Sequence, residues 1–430
     1  MYLTELRLRD FRSYESVDLS LGAGVSVFLG PNGYGKTNLV EAVVFLSSLG
    51  SHRVSADAPL VRSGCSSATV AAKVRAGLDD DRTLSLGVDI NLSGPNRAVL
   101  NKATVRPKQI LGAIRTVCFA PEDLAIVRGD PAERRRFIDE LVVARWPRLA
   151  GVRAEYERAI RQKTALLKAL SGRGSRAAGS GAAETLDAWD ETLVGLGAEV
   201  MAARMRTLAD LAPLVESHYA DIAPVAGRAR VGYQSAVLGD GVGDGGVGVG
   251  GGVGVGGVEG VGGSGDVEGS GDVGGSGDVG VSGDPAQASI ANGFDPGPLR
   301  QALASKMAAR RADEITRGVC LVGPHRDDIL CRLGDLPVRG YASHGEGWSY
   351  ALSLRLASVD LLRLDGVEPV LVLDDVFAEL DEQRRARLVA AARTAEQTLV
   401  TAAVRADLPG NLAARVFQVE PGRVSPEAVP

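Results

Sequence analysis

The strongest constraint on this chain lies in residues 26–42, SVFLGPNGYGKTNLVEA. Val25, Val27, Phe28 and Leu29 read as a buried strand, and Leu39, Val40, Val43, Val44 and Leu46 recur at helical spacing after Thr37. Between them Gly30, Pro31, Asn32, Gly33, Tyr34, Gly35, Lys36 and Thr37 fit G-x-x-x-x-G-K-[ST] in the strand, loop and helix setting that the motif requires, with Asn38 next in the helix. Glycines there let successive backbone N–H groups turn inward, and the helix start adds about half a positive charge. Such a loop cradles phosphates. Lys36 is expected to reach the β- and γ-phosphates of a nucleotide, and the Thr37 hydroxyl to ligate Mg²⁺.

The other half of such a site is legible far downstream. In PVLVLDDVFAELD, residues 369–381, a continuous apolar run reads as a strand buried on both faces, and Asp374 and Asp375 emerge at its end. A phosphate-loop protein needs an acid there to hold the hydrated cation, the role expected of Asp374, and Asp375 is expected to orient the attacking water. Lys36, Asp374 and Asp375 are thus the expected catalytic groups, and Thr37 and Asp374 the expected metal ligands. In YASHGEGW, Ser343, Gly345 and Glu346 open the helical pattern SYALSLRLASVDLLRL. Ser343 alone reads as an ordinary N-cap. Its place about 25 residues before the acidic strand makes that helix start a candidate phosphate site.

Length and composition bound the rest. A chain of 430 residues has room for more than one domain. It has no apolar run of about 18 residues, and MYLTELRLRD carries charges where a signal peptide needs apolar residues, so a cytoplasmic protein without membrane attachment is expected. Cys65, Cys118, Cys320 and Cys331 lack CxxC spacing and suggest reduced thiols. The net charge is −5, yet residues 239–284 hold eight acidic residues and no basic one, which leaves the remainder at +3. Residues 128–176 hold thirteen Arg or Lys against six Asp or Glu. The acidic total therefore does not exclude nucleic acid, because local fields decide partners.

Leu6 and Leu8, then Val17, Leu19 and Leu21, and later ATVAAKV, TLSLGVDI and TVCFA, read as strands. From Pro131 to about Tyr219 the period is helical. Heptad-like spacing appears at Leu149, Val152, Tyr156, Ala159, Lys163, Leu166 and Leu170, and again at Leu186, Trp189, Leu193, Leu196, Val200 and Ala203. SGRGSRAAGSG separates the two, which predicts a short antiparallel hairpin of helices, each roughly 30 to 40 Å long at 1.5 Å per residue. The stretch 239–290 is low in complexity, with repeated GSGDV, and is expected to be disordered because it lacks the apolar surface to offset its ordering entropy. Its spacing does not match calcium-binding nonapeptide repeats. A helix over Leu299 to Ile315 and a strand at GVCLV before GPHRDDI are expected next.

The order FRSYE, GPNGYGKTNLVEA, PEDLAIVRGDPAERRRFID, GPHRDD, ASHGEGW and LVLDDVFAELD resembles the RecF family, relatives of the SMC proteins with ABC-type ATPase heads. The resemblance implies an α/β fold, a P-loop head formed by both chain ends over 1–120 and 315–420. It also implies an inserted helical arm over 121–314 and a flexible tail over 421–430. ATP and Mg²⁺ are the implied cofactors, with slow, DNA-stimulated hydrolysis. The implied assembly is an ATP-dependent homodimer in which the helix after Ser343 meets the γ-phosphate held by the other subunit. DNA at single-strand gaps and single-strand/double-strand junctions is the implied target, with RecR and RecO as partners in loading RecA. Gly30, Asn32, Gly33, Gly35, Lys36 and Thr37 match the family's Walker A, and Asp374 and Asp375 its Walker B and catalytic acid. Ser343, Gly345 and Glu346 match the signature, and Ala378 to Asp381 the D-loop. Asp375 stands where transporters carry Glu, and no histidine follows TLVTAAV, where Thr401 is the candidate substitute.

Arg53 is a candidate for nucleotide or DNA contact, with a plain surface arginine as the alternative. Arg134, Arg135 and Arg136 lie near a helix start, where cations are mildly unfavourable, so an external phosphate is one explanation and pairing with Glu133, Asp139 and Glu140 the other. Arg97, Lys102, Arg106 and Lys108 form a second basic run suited to phosphate contacts. His325 and Arg326 are expected to line the head near nucleotide or DNA. An SMC-like tether is disfavoured by the short arm, and a transporter subunit by the missing histidine.

Overall fold

The computed structural model describes residues 1–171, 180–223, 227–238, 296–410, 412 and 414–427. The low-complexity stretch 239–290 and most of the turn between the arm helices lie outside these residues. The chain opens with a hairpin of β1 (Tyr2–Phe11) and β2 (Tyr14–Ser20) and passes through β3 (Gly24–Leu29) into α1 (Lys36–Ser48). It then lays down β4 (Ser67–Arg75), β5 (Thr83–Asn91), β6 (Arg97–Leu100) and β7 (Ala103–Val105). All of these strands but β3 form an antiparallel sheet in the order β2-β1-β4-β5-β6-β7. β3 belongs to a second sheet that gathers the other end of the chain. There β14 (Ala414–Glu420), β3, β13 (Gln397–Ala402), β12 (Val370–Asp374) and β8 (Thr116–Phe119) lie parallel in that order. β15 (Arg423–Pro426) closes one edge antiparallel to β14, and the Glu427 N–H donates to the Val416 carbonyl at 2.8 Å, so this part of the expected tail is sheet.

Both faces of the parallel sheet are buried at β12 and β8, which is why these strands read as apolar runs, whereas β14 alternates. Val27, Leu371, Leu373 and Val400 join a core shared with the helical layer, whereas Phe28, Val370, Val372 and Leu399 join Leu39, Val40 and Val43 of α1 and the antiparallel sheet. The buried Gln397 amide links the two sheets: it accepts the Leu3 N–H at 2.8 Å and donates to the Leu3 and Gly22 carbonyls at 2.9 Å each.

The helical part follows β8 as α2 (Leu124–Arg128), α3 (Pro131–Arg145), α4 (Leu149–Ser171) and α5 (Ser180–Ile222). With 43 residues, α5 is about 65 Å long, well beyond the length expected from its heptad-like stretch. α6 (Gly297–Arg317) packs on both α4 and α5, so among the described residues the hairpin is joined by a third helix. The far end of α5 continues into the head against α7 (His344–Leu364), where Tyr219 stacks near Tyr350 at 5.9 Å and His218 meets Asp360 at 2.8 Å.

No strand forms at GVCLV. Gly318 ends α6 with a φ of +66°, the Glu314 carboxylate takes the Leu321 N–H at 2.7 Å, and Arg326 donates twice to the Cys320 carbonyl, at 2.8 and 3.0 Å. Side chains thus meet the backbone groups that a ladder would have met. The strand starts later, as β10 (Asp328–Leu333), between β9 (Ala229–Gln234) and β11 (Leu336–Pro337). Because β9 and β10 pair across residue 314, and α6 runs past it, that position does not divide packing units.

Lys163, a charge within the heptad-like pattern, is 1 % exposed. Its ammonium meets Asp190 of α5 at 2.6 Å and Glu314 of α6 at 2.5 Å, so one buried cation joins the three arm helices. Lys163→Met should lower the stability measured by urea unfolding by about 3 to 5 kcal/mol, because the buried Glu314 and the half-buried Asp190 lose their shared cation. A loss below about 1 kcal/mol would show that the arm does not rest on this cluster.

Candidate functional site

The glycines of the loop after β3 are there for space and for backbone angle. Gly33 and Gly35 have φ of +85° and +99°, a region that strains other residues. A Cβ on Gly35 would stand 2.8 Å from Ser13 Oγ and 2.9 Å from Tyr14 Oη, and one on Gly30 would run into the Val419 carbonyl oxygen. Lys36, 4 % exposed, folds back over the loop and donates to Asn32 Oδ1 at 3.1 Å and the Pro31 carbonyl at 3.4 Å. Tyr34 points to solvent, and Asn38 donates to Ser13 Oγ at 2.9 Å.

β12 brings its carboxylates to this loop. The Thr37 hydroxyl donates to Asp374 Oδ1 at 3.0 Å, and the Thr401 hydroxyl of β13 donates to the same oxygen at 2.7 Å. Thr401 also accepts the Asp375 N–H at 2.8 Å. Asp375 sits at φ +51°, and its Oδ2 lies 4.0 Å from Lys36 Nζ. Burial pushes the Asp375 carboxyl above the ordinary range, against the pull of Lys36. Lys36, Thr37, Asp374 and Asp375 are therefore brought together as their types and order suggested. A carboxylate and a hydroxyl beside a glycine loop are hard oxygen donors, so these residues fit a phosphate-bound Mg²⁺.

A second layer of the site was read from the sequence only in part, as the FRSYE motif and the candidate Arg53. The FRSYE turn between β1 and β2 lies against α1. There the Tyr14 hydroxyl donates to the Gly35 carbonyl at 3.2 Å, and Arg12 grips both oxygens of the fully buried Glu41 at 2.5 and 2.8 Å. Ser51 donates to the same Glu41, Arg53 lies 3.6 Å from it, and Arg53 donates to Asn38 Oδ1 at 3.2 Å. Between them His52 places Nε2 3.5 Å from Asp374 Oδ2. Beyond the FRSYE motif and the Arg53 candidate, Glu41, an acid inside an apolar helix face, is the signal of this arrangement.

Ser343 caps α7: its side chain accepts the Glu346 N–H at 3.2 Å, and Glu346 accepts the Ser343 N–H at 2.8 Å, which holds the Glu346 carboxyl below the usual range. Arg384 of α8 (Glu382–Thr394) donates to the Gly345 carbonyl and Ser349 Oγ, each at 2.9 Å, and to Asp381 at 2.7 Å. Among the described residues, no hydrogen bond or ion pair connects 343–346 with the loop of the same chain.

The family model for the RecF/RecN/SMC N terminal domain matches residues 2–420. The chain is 48 % identical over 425 residues to the DNA replication and repair protein RecF of Cutibacterium acnes, covering 99 % of this chain and 98 % of that one. It is 46 % identical over 425 residues to the protein of the same name from Streptomyces avermitilis, covering 99 % of each. This chain belongs to the RecF family. Its fold is also that of a solved structure described as the recombination mediator protein RecF-ATPrS in RecFOR pathway, with a TM-score of 0.78, 23 % identity and 99 % and 98 % of the two chains covered.

In this RecF-family chain the arginine triad is not a phosphate-facing patch. Arg134, 5 % exposed, forms a double hydrogen bond with Asp328 of β10, both arms at 2.8 Å, and donates to the Gly129 carbonyl at 2.9 Å. Arg135 donates to the Asp327 carbonyl at 2.8 Å, and burial lowers its pKa. Arg136 pairs with Glu140 at 3.0 Å and also donates to the Ser51 carbonyl. Of the anticipated partners only Glu140 is used, because Asp139 is taken by the buried Arg204 at 2.7 and 2.9 Å. His325 and Arg326 likewise lock the base of the arm rather than line the loop: the Tyr156 hydroxyl meets His325 Nδ1 at 2.7 Å. No helix among the described residues is long and apolar enough to cross a membrane.

Burial holds the His325 pKa down at about 4, against the Cys320 carbonyl that favours its charged form. A base whose folded pKa lies below its unfolded value stabilises the fold above pH 6.5 and loses that contribution as pH falls through 4. The stability gap between the wild type and His325→Gln should therefore shrink on acidification from pH 6.5 to 4, by at most about 3 kcal/mol. Asp327, raised by burial to about 6, has the opposite dependence but is common to both proteins. Urea midpoints across that range check this, and a pH-independent gap would refute it.

Proposed function

We propose that this chain is an ATP-driven DNA clamp of recombinational repair, in which nucleotide binding joins two heads and slow hydrolysis releases them. The observation that carries the reading is the single Asp374 oxygen shared by Thr37 and Thr401, with Lys36 and Asp375 beside it. When bound, ATP with Mg²⁺ supplies the transferable phosphoryl group and the cation that neutralises its charge. The residues around it have separate tasks. Gly30, Pro31, Asn32, Gly33, Tyr34, Gly35 and Asn38 shape the cradle, and Lys36 exchanges its contacts with Asn32 and Pro31 for phosphate oxygens. Thr37 and Asp374 hold the hydrated cation. Asp375 orients water, and its short side chain and engagement with Lys36 favour slow turnover.

Ser343, Gly345 and Glu346 make no polar contact with their own loop, which favours a role on the nucleotide of a second copy, at the helix start. Arg384 then ties that contact to Asp381 and the D-loop. Nucleic acid has fewer cations available than the sequence suggested, because most of the described Arg and Lys side chains in 128–171 are engaged within the chain. Arg158, Arg161 and Lys168 remain exposed on α4 without ion pairs to described residues, and Gly318 at the end of α6 abuts Lys168 and so brings Arg317 near. These cations suit sequence-independent phosphate contacts at gapped and junction DNA, with Arg53 closer to the nucleotide. RecR- and RecO-type mediators and RecA are the partners that fit this role, in keeping with the pathway named for the solved relative.

Light scattering with and without Mg·ATP, followed by duplex and gapped-DNA binding on the same samples, tests the reading. Wild type should pass from monomer to dimer and retain DNA, with affinity falling steeply as salt rises. Lys36→Arg should stay monomeric, and Asp375→Asn should remain dimeric with turnover lowered about 100-fold. If all three stay monomeric and bind DNA equally with and without nucleotide, the clamp reading is wrong.

A further inference from the structure

Asp374 Oδ1 is filled by two hydroxyls, whereas Oδ2 faces an imidazole, His52 Nε2 at 3.5 Å. The His52 side chain is 12 % exposed, and neither ring nitrogen has a hydrogen-bond partner among the described residues. Buried polar groups are rarely left so, and the ring is not in this position through looseness of its loop. Ser51, itself buried, donates to Glu41 and accepts the Arg53 N–H at 2.9 Å and the Val54 N–H at 3.1 Å. Arg136 of α3 donates to the Ser51 carbonyl, and Arg53 donates to Asn38. Both neighbours of His52 in sequence are thus anchored to α1, and the ring between them is delivered to Asp374. His52 also lines a cavity of about 500 Å³ between α1, α3, α4 and α7, whose wall includes Ser48, Glu140 and Arg355. A space of that size with such polar groups in its wall admits water to the ring.

We propose that His52 is a positioning residue for Asp374, its Nε2–H fixing Oδ2 while Thr401 fixes Oδ1. The proposal rests on the nucleotide reading above. In that reading Thr37 turns its hydroxyl from Asp374 to the cation, so Asp374 loses one of its two Oδ1 donors at the moment its orientation matters. With Thr401 alone the carboxylate is free to rotate about that single bond. A donor on the other oxygen removes this freedom. Partners of this kind behind a metal-binding carboxylate change metal affinity about 10- to 100-fold when lost.

The test is a Mg²⁺ titration of the full chain, read by the binding of a fluorescent ATP analogue, for wild type, His52→Leu, His52→Ala and His52→Gln. His52→Leu and His52→Ala should need roughly tenfold more Mg²⁺ for half-maximal enhancement of binding, with affinity for the analogue in EDTA within about twofold of wild type. His52→Gln, which restores an N–H donor, should recover to within about threefold. Unchanged Mg²⁺ dependence in the two apolar variants would overturn the proposal. So would an equal loss of binding with and without Mg²⁺ that Gln does not rescue, since that marks a packing role. A wild type that binds no analogue at all would overturn the proposed function together with this inference, whereas the first two results leave that function standing.

Discussion

One carboxylate oxygen, Asp374 Oδ1, is where the two ends of this chain meet chemically. Thr37 reaches it from the helix after the glycine loop and Thr401 from the neighbouring strand, across 337 and 27 residues of sequence. The meeting is set by strand register. Asp374 lies opposite Thr401 in the β12–β13 ladder, and Thr401 lies opposite Phe28 in the β13–β3 ladder, one residue before β3 ends and the loop begins. A slip of one residue in either ladder would turn the wrong side chain toward the loop and bury the carboxylate among apolar neighbours. Apolar side chains on both sides of β3, β12 and β13 hold that register, because each side lies in a core. Packing at the centre of the head and chemistry at its edge are therefore one constraint.

Four buried ion pairs elsewhere follow a similar economy. Arg134 with Asp328, Arg204 with Asp139, Arg355 with Asp123 and Lys163 with its two acids each join elements distant in sequence, and each is largely withdrawn from water. Such pairs stabilise little against an apolar replacement, but removing one partner is strongly unfavourable, so they penalise wrong packing more than they reward the right one. Two of them, Arg134 with Asp328 and Arg204 with Asp139, lie where the arm meets the head, around GPHRDD and α3.

How much of this was legible depended on the range of the interactions. The glycine loop and the acidic strand carry local signatures, since backbone angle and two-sided burial restrict residue type position by position. The FRSYE turn was visible as a motif, but its grip on Glu41 and Asn38 needed the fold. For the arginine triad both an external phosphate and pairing with near neighbours were open, and only Glu140 among those neighbours is used, because a sequence offers partners three or four residues away whereas Arg134 finds Asp328 194 residues on. GVCLV looked like a strand by composition and is not one, because Glu314 and Arg326 satisfy its backbone. His52 had no periodicity to mark it, and α5 outran its heptad-like stretch because its second half packs on the head instead of on α4.

The central claim is that Thr37 and Thr401 act on one shared carboxylate oxygen, and a double-mutant cycle tests it most directly. The urea-unfolding stabilities of wild type, Thr37→Val, Thr401→Val and the double variant, measured without nucleotide, give the coupling between them. The account predicts a clear departure from additivity, in the range of about 0.5 to 3 kcal/mol typical of residues in one hydrogen-bond network. Effects that add to within about 0.3 kcal/mol would mean that the two hydroxyls do not share Asp374, and that the chain ends are not joined where the structure joins them.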